Sequence, residues 1–364
     1  MLWEDGMLIA YVSGHGLGHS TREIEILRHL PPEIPLTVKT VAPERFWRTE
    51  LARSFDLVAE AFDVGCVQRN GIDIDVSATL AAWNAVAARN RERIATEVAD
   101  LRERNARLIL TDVPSFPLTV AAALDIPSVC VANFTWADIY RAFAAEEPGF
   151  AAIADELTEE YAKATLHLEP GFSLSMPFFP CTLSVGVVAR PGVDRRDELL
   201  AFLPPEARER RIALVYVGGW GLPIEYERVT AFPDWHFLSL DPPPIVPGNW
   251  TVLSRERMAH PDLVASVDAV ISKPGYGICG ECLRAGTPLL YPPRPAFAEY
   301  RALHATLSVW PGGILLTPEA FSTVMWRAAL DAVSPRGAIP PERTDGGPRA
   351  ARTLTETYRE TVSS

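Results

Sequence analysis

Short apolar runs alternate with helical segments along the chain. The first run, Leu8 to Ser13, ends at Gly14. The segment Ser20 to Leu30 that follows has apolar residues at helical spacing and a helix N-cap at Ser20 or Thr21. Strands that alternate with helices pair in parallel, with helices on both faces of the sheet. The sequence therefore predicts an α/β fold.

A second series of the same kind begins after Pro191 with a strand over Ile212 to Val217, and 364 residues are enough for two domains. The remaining predicted strands are Leu36 to Ala42, Leu108 to Thr111, Ser128 to Ala132, Trp235 to Leu240, Trp250 to Leu253, Ala269 to Ser272 and Pro288 to Tyr291. The remaining predicted helices are Ala78 to Arg104, Leu118 to Leu124, Glu198 to Phe202, Pro261 to Ser266, Gly277 to Ala285 and Ala350 to Thr361. We expect two doubly wound, Rossmann-like domains over 1–185 and 186–345, and a helix over 346–364 that closes the chain.

Composition excludes several classes of protein. The chain has 34 basic and 46 acidic residues, a net charge of −12. It has no sequence-wide basic surface for nucleic-acid binding, so no nucleic-acid partner is expected. No apolar run is long enough for a membrane span, and the N-terminus lacks the basic region of a signal peptide. Five thinly spread cysteines argue against a disulfide framework, and a cytoplasmic location is expected.

The loop Gly14 to Arg22 places three glycines, two histidines and an arginine between the first strand and its helix. In an open parallel sheet, ligands bind beyond the carboxyl ends of the strands. His15 and His19 are therefore candidates for a general base or a phosphate donor. The alternative is that the glycines only make a tight turn. No Lys-Ser or Lys-Thr pair follows the glycines, which disfavours ATP hydrolysis by a P-loop, and the spacing supports zinc binding only weakly.

Two further glycine-containing loops follow strands of the second half. The first contains Gly218, Gly219 and Gly221, whose backbone is suited to contact a pyrophosphate. The second, Ser272 to Glu281, joins a strand to a helix and places Glu281 about one turn into that helix. The Glu281 carboxylate could accept hydrogen bonds from a ribose diol, or it could only stabilise the helix dipole. The residues alone leave both interpretations open.

The run Ser272 to Pro292, with Gly275, Gly277, Glu281, Gly286 and Pro288, resembles the nucleotide-sugar-binding segment of GT-B glycosyltransferases of the MurG type. Four motifs also resemble the glycosyltransferase-like domain found at the N-terminus of plant L-arabinokinases and in stand-alone bacterial proteins. They are Gly14 to Arg22, Thr111 to Val113, Ile126 to Trp136, and Pro261 to Gly277.

This resemblance implies the GT-B fold, in which two Rossmann-like domains face each other across a cleft. The C-terminal half would hold a nucleoside diphosphate sugar and the N-terminal half the acceptor. Glu281 would then bind the ribose and Glu299 the donor sugar. The other residues assigned to donor binding are Gly218, Gly219, Gly221, Lys273, Gly275, Tyr276 and Gly277.

The expected catalytic base is His15 or His19, oriented by Asp112. An equally good interpretation makes Asp112 an ordinary helix N-cap before Pro114. The residues assigned to acceptor binding are Gly16, Arg22, Asn133 and Trp136. The aromatic segment that holds the last two is as often core as it is a sugar site.

The leading hypothesis is a glycosyltransferase that moves a sugar from a UDP-linked donor to an acceptor that the sequence does not identify. No metal or cofactor is expected, because helix N-termini and basic groups can stabilise the leaving diphosphate. Asp73 and Asp75 have metal-binding spacing, but they are interpreted as part of a solvated turn. One rival is a nucleotide-sugar hydrolase or epimerase in which His19 activates water. Another is a non-catalytic nucleotide-sugar-binding partner protein.

Overall fold

The structure is a computed structural model. It describes residues 6–69, 74–216, 224–295, 297–335, 337, 340 and 343–363. The chain divides into two compact units. Unit 1 comprises Met1–Val188 and Asp345–Ser364, and unit 2 comprises Ala189–Thr344. Unit 2 is therefore one continuous segment of chain, whereas unit 1 is assembled from two.

The described residues of unit 1 form a parallel sheet. Its strands are β1 (Met7–Val12), β2 (Leu36–Lys39), β3 (Asp56–Val58), β4 (Ala106–Asp112), β5 (Ser128–Val131), β6 (Leu166–Glu169) and β7 (Thr182–Ser184). They lie in the order β3-β2-β1-β4-β5-β6-β7. The strand order reverses between β1 and β4, and such a reversal opens a crevice beyond the carboxyl ends of the strands. Because β1 ends at Val12 and β4 at Asp112, the first glycine loop and Asp112 lie at this point.

The helices of unit 1 cover the sheet. They are α1 (Leu17–Leu27), α2 (Glu44–Glu50), α3 (Val76–Glu103), α4 (Phe116–Leu124), α5 (Trp136–Phe143), α6 (Gly149–Tyr161) and α13 (Gly346–Ser363). The central strands are apolar and buried, as expected for strands covered on both faces.

The last helix, α13, belongs to unit 1 although it follows unit 2 in the chain. It packs against α1 and β4. Its buried residues Ala350, Leu354 and Tyr358 join the same apolar core as β1 and α1. The Tyr358 hydroxyl donates a hydrogen bond of 2.6 Å to the carbonyl of Gly6. The two ends of the chain therefore meet in one core.

Unit 2 repeats the plan of unit 1 in its described residues. Its strands are β8 (Arg211–Tyr216), β9 (Trp235–Ser239), β10 (Trp250–Val252), β11 (Ala269–Ser272), β12 (Leu289–Tyr291) and β13 (Gly313–Leu315). All of them pair in parallel, in the order β10-β9-β8-β11-β12-β13. Its helices are α7 (Arg196–Ala201), α8 (His260–Ser266), α9 (Tyr276–Ala285), α10 (Tyr300–Val309), α11 (Pro318–Ser322) and α12 (Arg327–Asp331). Here the order reverses between β8 and β11.

The predicted strands all occur near their expected positions, but α1 begins earlier than predicted. Its N-cap is Gly16, with φ 75°, and neither Ser20 nor Thr21 caps it. A glycine adopts this positive φ without the steric cost that other residues meet. The helix therefore starts at Leu17 and includes His19 in its first turn. The predictions also lack several helices that the structure contains, namely α2, α5, α6, α10, α11 and α12.

Candidate functional site

The first candidate site, called here the His19 cluster, consists of His19, Arg22, Asp112 and Asn133. The first two project from α1, Asp112 ends β4, and Asn133 follows β5. All four are buried, with exposed fractions between 0% and 7%. The cluster lies at the reversal of strand order in unit 1, where a ligand is expected in a doubly wound fold.

The imidazole of His19 pairs with the carboxylate of Asp112. Nδ1 of His19 lies 2.7 Å from Oδ1 of Asp112. A neutral histidine that donates from Nδ1 keeps Nε2 as a hydrogen-bond acceptor. Within the described ranges, Nε2 of His19 makes no hydrogen bond. The geometry therefore suits a base that accepts a proton at Nε2 while Asp112 stabilises the resulting imidazolium.

Arg22 binds the same carboxylate. Its Nε donates to Oδ2 of Asp112 over 2.7 Å and its Nη2 donates to Oδ1 over 2.5 Å. Its Nη1 donates to Oδ1 of Asn133 over 2.6 Å. Burial alone would raise the pKa of Asp112, but the charges of Arg22 and His19 and their hydrogen bonds hold that pKa below its ordinary value. Asp112 is thus kept as an anion inside the protein.

Three of the four residues assigned to acceptor binding are buried, so their contact with an acceptor stays a prediction. Arg22, Asn133 and Trp136 are 4%, 0% and 0% exposed. The Trp136 indole donates a hydrogen bond of 2.7 Å to the buried carboxylate of Asp63. Burial argues against direct contact with an acceptor, and the contacts support a role in holding the site together. The fourth residue, Gly16, is exposed, and a Cβ added there would meet nothing within 4 Å.

The structure distinguishes the two histidines of the first loop. Asp112 bonds His19, and none of its hydrogen bonds to described residues involves His15. The half-buried His15 ring lies edge-on to Trp136, with ring centroids 5.5 Å apart. Its Nδ1 accepts the backbone N–H of Cys66 over 3.3 Å. The interpretation of Asp112 as a helix N-cap is wrong, because Ser115 occupies the N-cap position of α4.

The second candidate site, called here the α9 site, lies at the reversal of strand order in unit 2. It consists of Lys273, Gly275 and Gly277 at the start of α9, with Arg294 after β12. Gly275 is the N-cap, no side chain caps the helix, and a Cβ on either glycine would meet nothing within 4 Å. An open helix N-terminus offers backbone N–H groups to an anion.

Lys273 adds positive charge to this helix end. Burial, and secondarily the charge of Arg294, lowers the pKa of Lys273 to about 8. Two cations held near each other repel, and an anion between them would relieve that repulsion. The α9 site is therefore suited to a phosphate group. The remaining predicted phosphate contacts, Gly218, Gly219 and Gly221, lie outside the described residues.

The Glu281 carboxylate, which is assigned to the ribose, is bound by two other side chains. Its side chain is buried in α9, and Oε1 accepts from Nε and Nη2 of Arg190 over 2.9 and 2.7 Å. Oε2 lies 2.6 Å from Nδ1 of His260. Burial alone would raise the pKa of Glu281, but His260 and Arg190 lower it to about 2. Arg190 and His260 therefore already occupy this carboxylate, and its contact with a ribose stays a prediction.

Two other residues assigned to donor binding, Tyr276 and Glu299, are buried. Tyr276 and Glu299 are 8% and 5% exposed. Glu299 sits at the N-terminus of α10. The sequence predictions lack Arg190 and His260 altogether. The His-Pro pair at the start of α8 is a local signal for a helix that begins at His260. Arg190 stands in an irregular segment without such a signal.

Three further features of the described residues concern metal ligands, cysteines and apolar helices. They contain no group of three or more His, Cys, Asp or Glu side chains placed to hold a metal ion. Asp75 accepts the backbone N–H of Ala78 and caps α3, and Asp73 lies outside the described residues. Cys279 and Cys282 are both buried in α9, and burial raises the pKa of each thiol. No helix in the described ranges is both long and apolar enough to cross a bilayer.

Comparison with known proteins finds a relative in sequence and several proteins of the same fold. No protein-family model matches the chain. L-arabinokinase from Arabidopsis thaliana is 28% identical over 362 residues. The match covers 95% of this chain and 34% of that protein. The chain thus spans about a third of the length of the curated relative it matches.

Solved glycosyltransferases share the fold over nearly the whole chain. Arabidopsis thaliana UGT89C1 complexed with UDP-L-rhamnose has a TM-score of 0.62 and 13% identity, covering 99% of each chain. The calicheamicin glycosyltransferase CalG4 has a TM-score of 0.60 and 16% identity, covering 98% of this chain and 95% of its own. A UDP-glucosyltransferase from Polygonum tinctorium has a TM-score of 0.59 and 16% identity, covering 97% and 99%. The predicted GT-B fold with two Rossmann-like domains is confirmed.

Proposed function

We propose that this protein is a glycosyltransferase that moves a sugar from a UDP-linked donor to a hydroxyl acceptor, with His19 as the base. The observation that carries the proposal is the buried pair of His19 and Asp112 at the strand-order reversal of a GT-B fold. Solved proteins of the same fold include one complexed with UDP-L-rhamnose and another complexed with UDP-2fluoro-glucose. Fold alone does not fix chemistry, so the pair is essential to the argument.

In the proposed reaction, Nε2 of His19 accepts the hydroxyl proton as the acceptor oxygen attacks the anomeric carbon. The bond between that carbon and the phosphate oxygen breaks, and the nucleoside diphosphate leaves with the bonding electrons. Asp112 stabilises the imidazolium, while Arg22 and Asn133 hold Asp112 in place. Proton transfer to a positioned histidine contributes a rate factor of about 10² to 10⁴ in enzymes.

The α9 site is the proposed contact for the donor diphosphate. The N-terminus of α9 offers backbone N–H groups, and Lys273 offers a nearby cation. These groups can stabilise charge on the leaving diphosphate, the task that a magnesium ion performs in other enzymes. We therefore propose a reaction that needs no added metal. A soluble cytoplasmic location belongs to the same proposal.

One observation favours a second candidate, a non-catalytic partner protein that retains the fold. Arg190 and His260 occupy the Glu281 carboxylate assigned to the ribose. If no other group binds the nucleoside, the protein would lack a donor site. The transferase hypothesis requires the nucleoside to be held through other contacts.

A thermal-shift screen against UDP, GDP, ADP, dTDP and their sugar conjugates tests the proposal, because a ligand that binds only the folded state raises the melting temperature. We expect a shift with UDP or a UDP-sugar, reduced in Lys273→Met and kept in Lys273→Arg. Turnover of the binding UDP-sugar with a panel of hydroxyl acceptors should then depend on His19. Absence of a shift with every nucleotide would favour the non-catalytic partner.

A further inference from the structure

Glu23 is a second buried carboxyl group beside the His19 cluster. His19, Arg22 and Glu23 stand at positions i, i+3 and i+4 of α1, so the helix presents them on one face. The side chain of Glu23 is 0% exposed. Within the described part of the chain, neither of its carboxyl oxygens receives a hydrogen bond from an N–H or O–H group. A buried carboxylate without any donor is strongly unfavourable.

The groups that face Glu23 explain its protonation state. Burial, and then the negative charge of Asp112 from β4, raises the pKa of Glu23 well above its ordinary value. The positive charge of Arg22 opposes this only in part. The thiol of Cys130 on β5 also faces this group, and burial keeps that thiol neutral by raising its pKa. Glu23 shares its helix face with His19 and Arg22, the two residues that bind Asp112, so a protonated Glu23 has this carboxylate as an acceptor.

We infer that Glu23 is a neutral acid that donates a hydrogen bond to Asp112 and acts, through Asp112, as a positioning residue for His19. Asp112 accepts one bond from His19 and two from Arg22. An ionised carboxylate has about four acceptor sites, so the Glu23 hydroxyl supplies the remaining donor. A carboxylate with all sites occupied has one fixed orientation and holds the imidazole in one tautomer. This inference rests on the proposed role of His19.

The first measurement reads the protonation of Glu23 directly. Carbon-13 NMR of protein labelled at glutamate carboxyl carbons should show, at neutral pH, a Glu23 signal with the shift of a protonated acid. That signal should be the one missing in Glu23→Gln. A Glu23 carboxyl that is ionised at neutral pH would overturn the inference. The measurement needs no substrate.

The second measurement follows the titration of His19 by nitrogen-15 NMR, with its signal assigned by its loss in His19→Gln. Glu23→Gln keeps a hydrogen-bond donor and should leave the titration midpoint of His19 within about 0.2 pH units of wild type. Glu23→Leu removes the donor, so Asp112 should bind the imidazolium more strongly and move the midpoint upward by roughly half a pH unit or more. An ionised Glu23 predicts the opposite, since either substitution would remove a negative charge and move the midpoint downward.

Glu25→Gln is the matched control. Glu25 is equally buried on α1 but pairs with Arg28 and His29, so its substitution should not move the His19 titration. If Glu23→Leu does not fold, the carboxyl signal and the Glu23→Gln titration still decide the question. The experiments use protein without ligand, so failure of the transferase proposal, seen as absence of nucleotide binding or transfer, is distinguishable from failure of this inference.

Discussion

Nδ1 of His19 lies 2.7 Å from Oδ1 of Asp112, and the exposed fractions of the two side chains are 8% and 0%. The pair joins a helix residue to a strand residue 93 positions later in the chain. Arg22 binds the same carboxylate from the next turn of α1. One buried anion therefore both orients an imidazole and connects α1 to the end of β4.

His19→Gln should lower the rate of sugar transfer by about 10² to 10⁴ fold, because the base is lost. The melting-temperature shift produced by UDP should stay within error of wild type, since the donor site is proposed in unit 2. Steady-state assays and thermal shifts provide the two readouts. His29→Gln is the control, as His29 lies just after α1 and pairs with Glu25. Full activity of His19→Gln would remove this residue from the mechanism.

Asp112→Asn should reduce transfer to a similar extent, because an amide can favour the other imidazole tautomer and cannot stabilise an imidazolium. It should also destabilise the protein by about 3 kcal/mol, since Arg22 would remain buried without its anion. Chemical denaturation measures this loss. The double variant Arg22→Met with Asp112→Asn should recover part of it, whereas additive losses would show that the two residues are not coupled.

Glu281 predicts an acid limit to stability. Its pKa in the folded protein is lowered from 4.5 to about 2. The ionised form therefore stabilises the fold at every pH above about 4.5, and this stabilisation is lost as pH falls toward 2. Glu281→Gln should be less stable than wild type at neutral pH. Its free energy of unfolding should fall much less than that of wild type between pH 4.5 and about 2. Denaturation curves recorded across this pH range measure the free energy of unfolding of both proteins. An identical decline in wild type and variant would contradict the prediction.

Lys273 should make nucleotide binding depend on pH and charge. Because its pKa is about 8, affinity for UDP should fall as the pH rises through that value and the side chain loses its proton. Lys273→Met should weaken UDP binding by roughly tenfold or more. Lys273→Arg should restore binding at alkaline pH. Titration calorimetry at several pH values measures all three proteins, and equal affinities would place the diphosphate elsewhere.

Local patterns predict the strands of this fold well because its central strands are short and apolar. The strand β11 and the start of α9 illustrate this, since Ala269–Ser272 is observed as predicted and α9 begins one residue before its predicted start. The start of α1 shows the limit. Ser20 is a good N-cap residue by type, yet Gly16 caps the helix, and Ser20 lies inside it, fully buried.

The site is less predictable because its pairings connect distant parts of the chain. Glu281 and Arg190 are 91 positions apart, and no local pattern distinguishes a carboxylate that binds ribose from one that binds an arginine. Burial is equally hard to predict from local sequence. Arg22, Asn133 and Trp136 have residue types that suit a ligand site, but their side chains lie inside unit 1. The sequence near the site does carry one local signal, because the capping box of Thr135 and Asp138 marks the start of α5.

The placement of α13 in unit 1 has a consequence for biosynthesis. A ribosome releases all of Ala189–Thr344 before it releases α13, so unit 2 is the first to have its complete sequence available. Until α13 has left the ribosome, the surface of α1 and β4 that receives Ala350, Leu354 and Tyr358 lacks its covering helix. Unit 1 therefore completes its apolar core only after the whole of unit 2 has been synthesised.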